Sequence, residues 1–411
     1  MSVFKKTLTL SDGEPARALW ISTVAFTICF AVWTIFAIIG IRIKQQLGLS
    51  ETQFGLLIGT PVLTGSLARI LLGVWTERYG GRLVYTLTML AAAASTFLLS
   101  YATTYAQMLI AGLGVGLAGG TFAVGIAYVS PFFPAQKQGT VLGIFGAGNV
   151  GAAVTKFAAP FVLIAWGWQA VAEVWALVLA AMTVIFWLTT TDDPAFRLRR
   201  EGQAASKSLF GEFAPLKNLQ VWRFSLYYFF AFGGFVALSL WLPRYLVGVY
   251  GFNLETAGMV AAAYSIPGSL FRALGGIASD KKGARSVMYA TLCVSAVATL
   301  ILSFAIAPAP FIIVLFVLGF FMSLGKAAVY KHIPAYYPQN IGAVGGVVGM
   351  MGGLGGFVMP IAFGFLKDIT GLWSSCFLLL FAVVLISLVW MHLSVKRLER
   401  NRLPSQAIAA S

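Results

Sequence analysis

Charge is what this sequence lacks most. Only 10% of its 411 residues are charged, whereas 59% are hydrophobic. A soluble domain keeps about a quarter of its residues charged to stay wetted, so this composition and a mean hydropathy of +0.87 define a membrane protein. Acid is scarcer still, with 13 Asp and Glu against 28 Lys and Arg. None of the acids falls deep in an apolar stretch; Glu77, Glu173 and Asp280 sit near the ends. Cysteine is almost absent. Cys29, Cys293 and Cys376 all lie in apolar segments without metal-site spacing or a disulfide framework, and read as small buried hydrophobes. No Ser-His-Asp set, metal cluster or nucleotide loop is present, and His332 and His392 fall near the ends of apolar spans. The expectation is a protein that is not an enzyme and holds no cofactor and no metal. The net charge of +15 does not imply nucleic acid, because the cations are scattered among short loops. The first apolar span starts near Leu19. At about 22 residues, with no small-residue cleavage site after it, it is too long for a signal peptide.

What is abundant is apolar sequence of membrane-spanning length. A hydrocarbon core of about 30 Å takes about 20 residues of helix. Twelve such spans begin near Leu19, Thr52, Leu83, Ala106, Gly139, Gln169, Val221, Thr256, Ser286, Phe311, Gly342 and Leu372. The one long polar stretch, 191–220, falls between the sixth and seventh. The expected organisation is a bundle of six helices over 1–190, a linker over 191–220, a second bundle over 221–395 and a tail over 396–411. With the N-terminus inside, inner loops hold most of the cations, among them Lys5, Lys6, Arg78, Arg82, Lys137, Arg199, Lys207, Arg223, Lys281, Arg285, Lys331, Lys396 and Arg402. Outer loops hold only Arg42, Lys44, Arg244 and Lys367. The positive-inside rule then places both termini in the cytoplasm, with the loop cations facing anionic lipid.

The two halves read alike. GSLARILLGVWTERYGGR from Gly65 and GSLFRALGGIASDKKGAR from Gly268 stand 203 positions apart. Arg69 matches Arg272, Gly73 matches Gly276, Glu77 matches Asp280, Gly80 matches Gly283 and Arg82 matches Arg285. The same offset relates Gly139, Gly143 and Gly146 to Gly342, Gly346 and Gly349. The segment Gly73–Arg82 resembles the loop motif G-x-x-x-[D/E]-[R/K]-x-G-x-[R/K] of the major facilitator superfamily, here present twice. That resemblance implies an all-α membrane fold of twelve transmembrane helices in two pseudo-symmetric six-helix bundles. The site would lie between them and work by alternating access. Gly73, Glu77, Arg78, Arg82, Gly276, Asp280 and Arg285 are then candidates for a conformational latch that works by charge pairing.

Four ionisable residues fall inside apolar spans, and all are cations: Arg69, Lys156, Arg272 and Lys326. A cation at bilayer depth costs at least about 2.5–3.5 kcal/mol on insertion scales. With no buried carboxylate to pair with, the missing negative charge is most simply a small anionic cargo. Arg69 and Arg272, one per half, present planar donor forks that suit an oxyanion. Snorkelling or a backbone carbonyl would also satisfy them.

The fifth span, GTVLGIFGAGNVGAAVTKFAAP, and the eleventh, GAVGGVVGMMGGLGGFVMP, are stripped of side chains on one face. Packing alone can explain such glycines. Yet these paired segments also resemble the signature helices of the nitrate/nitrite porter family. GTFAVGIAYVSPFFPAQKQG and SLYYFFAFGGF continue the likeness along nearly the whole chain. The resemblance implies that Arg69 and Arg272 clamp the anion, that Phe122 and Phe232 sandwich it, and that Tyr228 adds a hydrogen bond. Asn149, Gly146, Gly148 and Gly349 fall in the signature helices. GKAAVYKHIPAYYP resembles the proton-coupled branch of the family.

The expected function is therefore nitrate transport across the cytoplasmic membrane in nitrate assimilation, with nitrite also carried. The expected coupling is symport with protons by a monomer. Lys326 is the first candidate for handling the proton and Lys156 the second. Nitrate/nitrite antiport and exchange of small carboxylates of the oxalate and formate kind are the alternatives within transport. A membrane sensor would call for an added signalling domain, whereas only a short, largely polar tail follows the last span.

Overall fold

Hydrocarbon offers no hydrogen-bond partners, so a chain of this composition must satisfy its backbone within helices. A computed structural model describes residues 13–201, 217–337 and 341–409; Lys5, Lys6 and Lys207 lie outside them. Helix α1 comprises Glu14–Trp33 and Phe36–Leu47, α2 is Glu51–Tyr79 and α3 is Gly81–Leu99. Helix α4 comprises Tyr105–Val115, Leu117–Val129 and the short turn Ser130–Phe132. Helix α5 runs as Ala135–Gly146, a tight 3-10 turn Ala147–Val150 and Gly151–Trp166, and α6 is Trp168–Thr189. In the second half, α7 comprises Leu219–Tyr228, a widened π turn Phe229–Gly234 and Phe235–Tyr250. Helix α8 is split into Leu254–Leu270 and Arg272–Lys282. The remaining four are α9, Ala284–Leu302; α10, Pro308–Tyr336; α11, Ile341–Thr370; and α12, Ser375–Ala409.

Eleven described helices are long and apolar enough to cross a membrane. The twelfth, α8, is divided by Phe271 into pieces each too short to cross alone, so the twelve expected spans are all present. The polar tail expected after residue 395 continues α12 as unbroken helix to Ala409. The linker includes a short helix, Pro194–Arg200. It is held against the start of α1, where buried Glu14 accepts from the Thr191 hydroxyl at 2.5 Å and from the Arg197 guanidinium.

The two halves meet along α2 with α11 and along α5 with α8. Glycine lets the backbones touch. A Cβ added at Gly55 would stand 2.2 Å from the Pro360 carbonyl oxygen, and one at Gly258 would stand 2.3 Å from the Lys156 carbonyl oxygen. At the face away from the termini, called the distal face below, Asp368 of α11 caps α2 from the opposite half. It accepts from the amides of Glu51 at 3.1 Å and Thr52 at 2.8 Å and from the Thr52 hydroxyl at 2.5 Å. Glu51 pairs in turn with Arg244 of α7 at 2.5 Å and with Lys44 of α1 at 3.5 Å. The distal face is closed.

The Gly55→Val variant cannot close that seam, because the side chain would meet backbone on the facing helix. Amide hydrogen exchange at Glu51 and Thr52 is expected to speed up at least about tenfold, since helix ends freed from tertiary contact open readily. Unchanged protection at both amides would contradict the close approach.

Candidate functional site

The repeat predicts Arg69 and Arg272 at matching depth, and both are buried, at 7% and 9% exposure. They are brought together on one aromatic ring. The guanidinium carbons of Arg69 and Arg272 lie 5.5 Å and 5.7 Å from the centre of Phe122. Arg69 is also 5.5 Å from the Phe232 ring and 5.9 Å from that of Trp33, and Arg272 is 5.6 Å from the Tyr330 ring. Phe122 and Phe232 therefore bracket the Arg69 head from opposite halves. A ring face attracts a cation, but it is no hydrogen-bond acceptor of the strength that a guanidinium needs.

The donor set is only partly used. Arg69 Nη1 donates to the Gly349 carbonyl at 3.1 Å. Arg69 Nε and Arg272 Nη1 are buried and have no hydrogen-bond partner, and both amide atoms of Asn149 are in the same condition. Buried polar groups are almost always bonded, and an unmet donor on a charged group carries a large desolvation cost. The unbonded guanidinium donors, backed by aromatic faces, are free to receive acceptors. No described group of His, Cys, Asp and Glu could hold a metal ion.

Local departures from regular helix aim these side chains. Tyr228 ends the first piece of α7 and Phe232 lies in the π turn that follows. A π turn holds more residues than an α turn, and Tyr228 and Phe232 remain neighbours across it. The two rings stack with centroids 5.2 Å apart and planes 9° from parallel. Such turns concentrate at functional sites. In α5 the tight turn 147–150 carries Asn149. Gly146, just before it, lies against Arg272, whose Nη1 would be in ordinary contact with an added Cβ at 3.4 Å. Gly349 leaves room for the Tyr330 hydroxyl, 2.7 Å from where a Cβ would be. Gly148 stands apart from the arginines and makes space for the Phe26 ring instead.

The two lysines take different places. Lys156 does not join the arginines; the tight turn in α5 lies between it and the Arg272 contact. Its fully buried ammonium donates to Ser265 at 2.6 Å and Ser239 at 3.1 Å, both in the opposite half. Lys326, also fully buried, stands behind the aromatic pair. It lies 5.9 Å from the Phe232 centroid and 3.4 Å from that of Phe235, and donates to the Gly268 carbonyl at 2.6 Å. Both cations thus find neutral partners.

The motif loops divide likewise. Gly80 and Gly283 have φ of +88° and +81°, a left-handed backbone that explains the glycine at this point of each repeat. Gly73 and Gly276 face open space. Glu77 and Arg78 are exposed, with Arg78 over the Tyr79 ring, and Glu77 makes no ion pair among the described residues. Arg82 donates to the Trp187 carbonyl and lies 4.0 Å from that ring's centre. Asp280 is paired with Lys331 of its own half. Arg285, partly exposed, lies in the first turn of α9. The acid that grips the first motif loop is one the motif does not contain. Asp193 of the linker accepts from the Gly81 amide at 3.0 Å and the Phe196 amide at 2.8 Å.

Sequence reasoning missed Trp33 and Tyr330. The Tyr330 ring meets that of Tyr228 edge-on at 5.0 Å, and its hydroxyl donates to the Gly345 carbonyl at 3.1 Å. Its spacing of four from Lys326 was the available signal, since such residues share a helix face.

Twelve spans in two repeated halves, with a buried cationic site at their junction, define a secondary transporter rather than an enzyme. A family model for the Major Facilitator Superfamily matches residues 21–261 and 250–409. The "Probable nitrate/nitrite antiporter NarK1" of Thermus thermophilus is 41% identical over 93% of this chain and 92% of its own length. The "Nitrite extrusion protein" of Bacillus subtilis is 30% identical over 92% of this chain and 95% of its own. Among solved structures, a bacterial homolog of the human lysosomal transporter Spinster, in an inward-facing and unoccupied conformation, matches with TM-score 0.75 at 16% identity. The match covers 94% of this chain and 98% of that one. This chain is a multi-pass membrane transporter of the major facilitator superfamily. Within that superfamily it belongs to the nitrate/nitrite porters.

Proposed function

We propose that the protein carries nitrate, and also nitrite, across the cytoplasmic membrane by alternating access, as a monomer with both termini in the cytoplasm. One observation carries this reading. Two buried arginines from opposite halves share the Phe122 ring and hold unbonded donors, and no described acid competes for them. Nitrate is flat and weakly hydrated. It suits a dry slot between aromatic faces, where donor forks replace its water at little cost. The Tyr228 ring and the Asn149 amide stand ready as further contacts. Two relatives named for nitrate or nitrite, similar over nearly the whole chain, support the same cargo. With the termini inside, the closed distal face is the external one, and Asp368 and Glu51 form its seal.

Nitrate entering a cell that is negative inside climbs about 2.3 kcal/mol per 100 mV. Symport with more than one proton per nitrate makes the step electrically favourable, and this is the coupling we propose. Of the two lysines, Lys156 suits the proton better. Its partners are serine hydroxyls, which can donate to an amine or accept from an ammonium, so both contacts survive loss of the proton. It also lies on the seam that must open and close. Antiport of nitrate against nitrite is the second reading, favoured by the name of the Thermus relative.

In proteoliposomes, Arg69→Lys and Arg272→Lys are each expected to raise the nitrate KM at least about tenfold, because Lys keeps the charge and loses the fork. Wild-type affinity in both would refute the clamp. An imposed pH gradient, a membrane potential and internal nitrite, each applied alone, separate the two couplings. Symport requires uptake driven by the first two without nitrite inside. In Lys156→Met, uptake driven by the pH gradient is expected to fall at least about tenfold, while labelled nitrate still exchanges for internal nitrite. Unimpaired proton-driven uptake in that variant would remove Lys156 from the proton's path.

A further inference from the structure

The two halves repeat in sequence around the arginines but not in backbone. Gly65, Ser66 and Leu67 precede Arg69 as Gly268, Ser269 and Leu270 precede Arg272. Yet Arg69 lies in the interior of unbroken α2, whereas α8 breaks at Phe271 and Arg272 opens its second piece. The break interrupts the ladder in which each amide bonds the carbonyl four residues back. For Arg272 that carbonyl belongs to Gly268, and it accepts the ammonium of Lys326 at 2.6 Å. At the repeat offset, the first half has Ala123 in place of Lys326 and offers no such donor.

The surroundings of Lys326 fit this use. The Phe235 ring covers both partners. It lies 3.4 Å from the ammonium, and its Cε2 would stand 2.2 Å from a Cβ added at Gly268. A carbonyl only accepts, and a ring face attracts a cation, so Lys326 is held on both sides as a donor. One turn along the same face of α10, the Tyr330 ring lies 5.6 Å from the Arg272 guanidinium. Helix α10 therefore grips Arg272 at both ends, by the backbone through Lys326 and by the head through Tyr330.

We propose that Lys326 is a positioning residue for Arg272. Its ammonium holds the Gly268 carbonyl, keeps α8 broken and thereby fixes where the guanidinium stands. This inference rests on the reading of Arg272 as a ligand of the anion. It gives Lys326 a task other than carrying the proton.

The test is a cycle in proteoliposomes: nitrate KM, Vmax and the proton-to-nitrate ratio for Lys326→Met, Lys326→Arg, Arg272→Lys and the Lys326→Met/Arg272→Lys pair. Lys326→Met is expected to raise KM about tenfold with the proton ratio unchanged. Lys326→Arg, which keeps a charged donor, is expected to stay within about threefold of wild type. Adding Lys326→Met to Arg272→Lys is expected to change KM less than about twofold, because the group being positioned is already altered. Three results would each overturn the proposal: a wild-type KM in Lys326→Met with proton coupling lost, an equal rise in both backgrounds, or a tenfold rise in Lys326→Arg. The last serves even if Lys326→Met fails to reach the membrane. Should Arg272→Lys alone leave KM unchanged, the clamp itself fails. Should it raise KM while Lys326→Met does not, only the positioning role fails.

Discussion

Positive charge buried without negative charge is the constraint to which the rest of the structure answers. Arg69, Lys156, Arg272 and Lys326 are each nine-tenths or more buried, and no described carboxylate reaches any of them. The protein meets the cost with neutral groups: carbonyls of Gly268 and Gly349, hydroxyls of Ser239 and Ser265, and the faces of Phe122, Phe232, Phe235 and Tyr330. Each eases the desolvation of a cation without cancelling it. A carboxylate would hold the charge more firmly and would compete with any anion bound there. Keeping the pairing incomplete leaves a positive site that an anion can finish.

This economy explains the irregular helices. In a regular α turn each carbonyl already accepts one amide and offers only its second lone pair, as Gly349 does to Arg69. The break in α8 frees an acceptor for Lys326, the π turn in α7 carries Phe232 beside Tyr228, and the tight turn in α5 places Asn149. Glycine permits these departures, and it also lets α2 and α11 approach until backbone meets backbone at Gly55. The same residue type thus serves the site and the seam between the halves.

Much of this was legible in the sequence, for physical reasons. Buried cations stand out against apolar helices, so Arg69, Arg272, Lys156 and Lys326 could be found by eye. Their symmetry followed from one offset that held along the chain. What was hidden falls into two kinds. Among 33 Phe, 14 Tyr and 11 Trp, composition gives no reason to single out Trp33, which only the fold selects, and Tyr330 could be reached only through its spacing from Lys326. The break at Phe271 was hidden because the shared motif Gly-Ser-Leu-x-Arg is unbroken in α2, although Pro267 and Phe271 stand where the first half has Thr64 and Ala68. The latch reading was only partly legible. Charge at Glu77 and Asp280 was visible, but Asp193 of the linker, outside the motif, is the acid that holds the first loop.

The seal at the distal face has a consequence for turnover. Asp368 binds the free amides at the start of a helix, groups that exist whether or not the halves touch. They lie at the distal face, where the bonds to Thr52 are exposed and water can take over bonds that the carboxylate gives up. Parting the halves there also separates the partly buried Glu51–Arg244 pair, but at this end of the bundle water can reach both charges, in contrast to an ion pair broken in the interior. A closure of this kind is specific in geometry and shallow in energy. It suits a machine that must open the same door on every cycle.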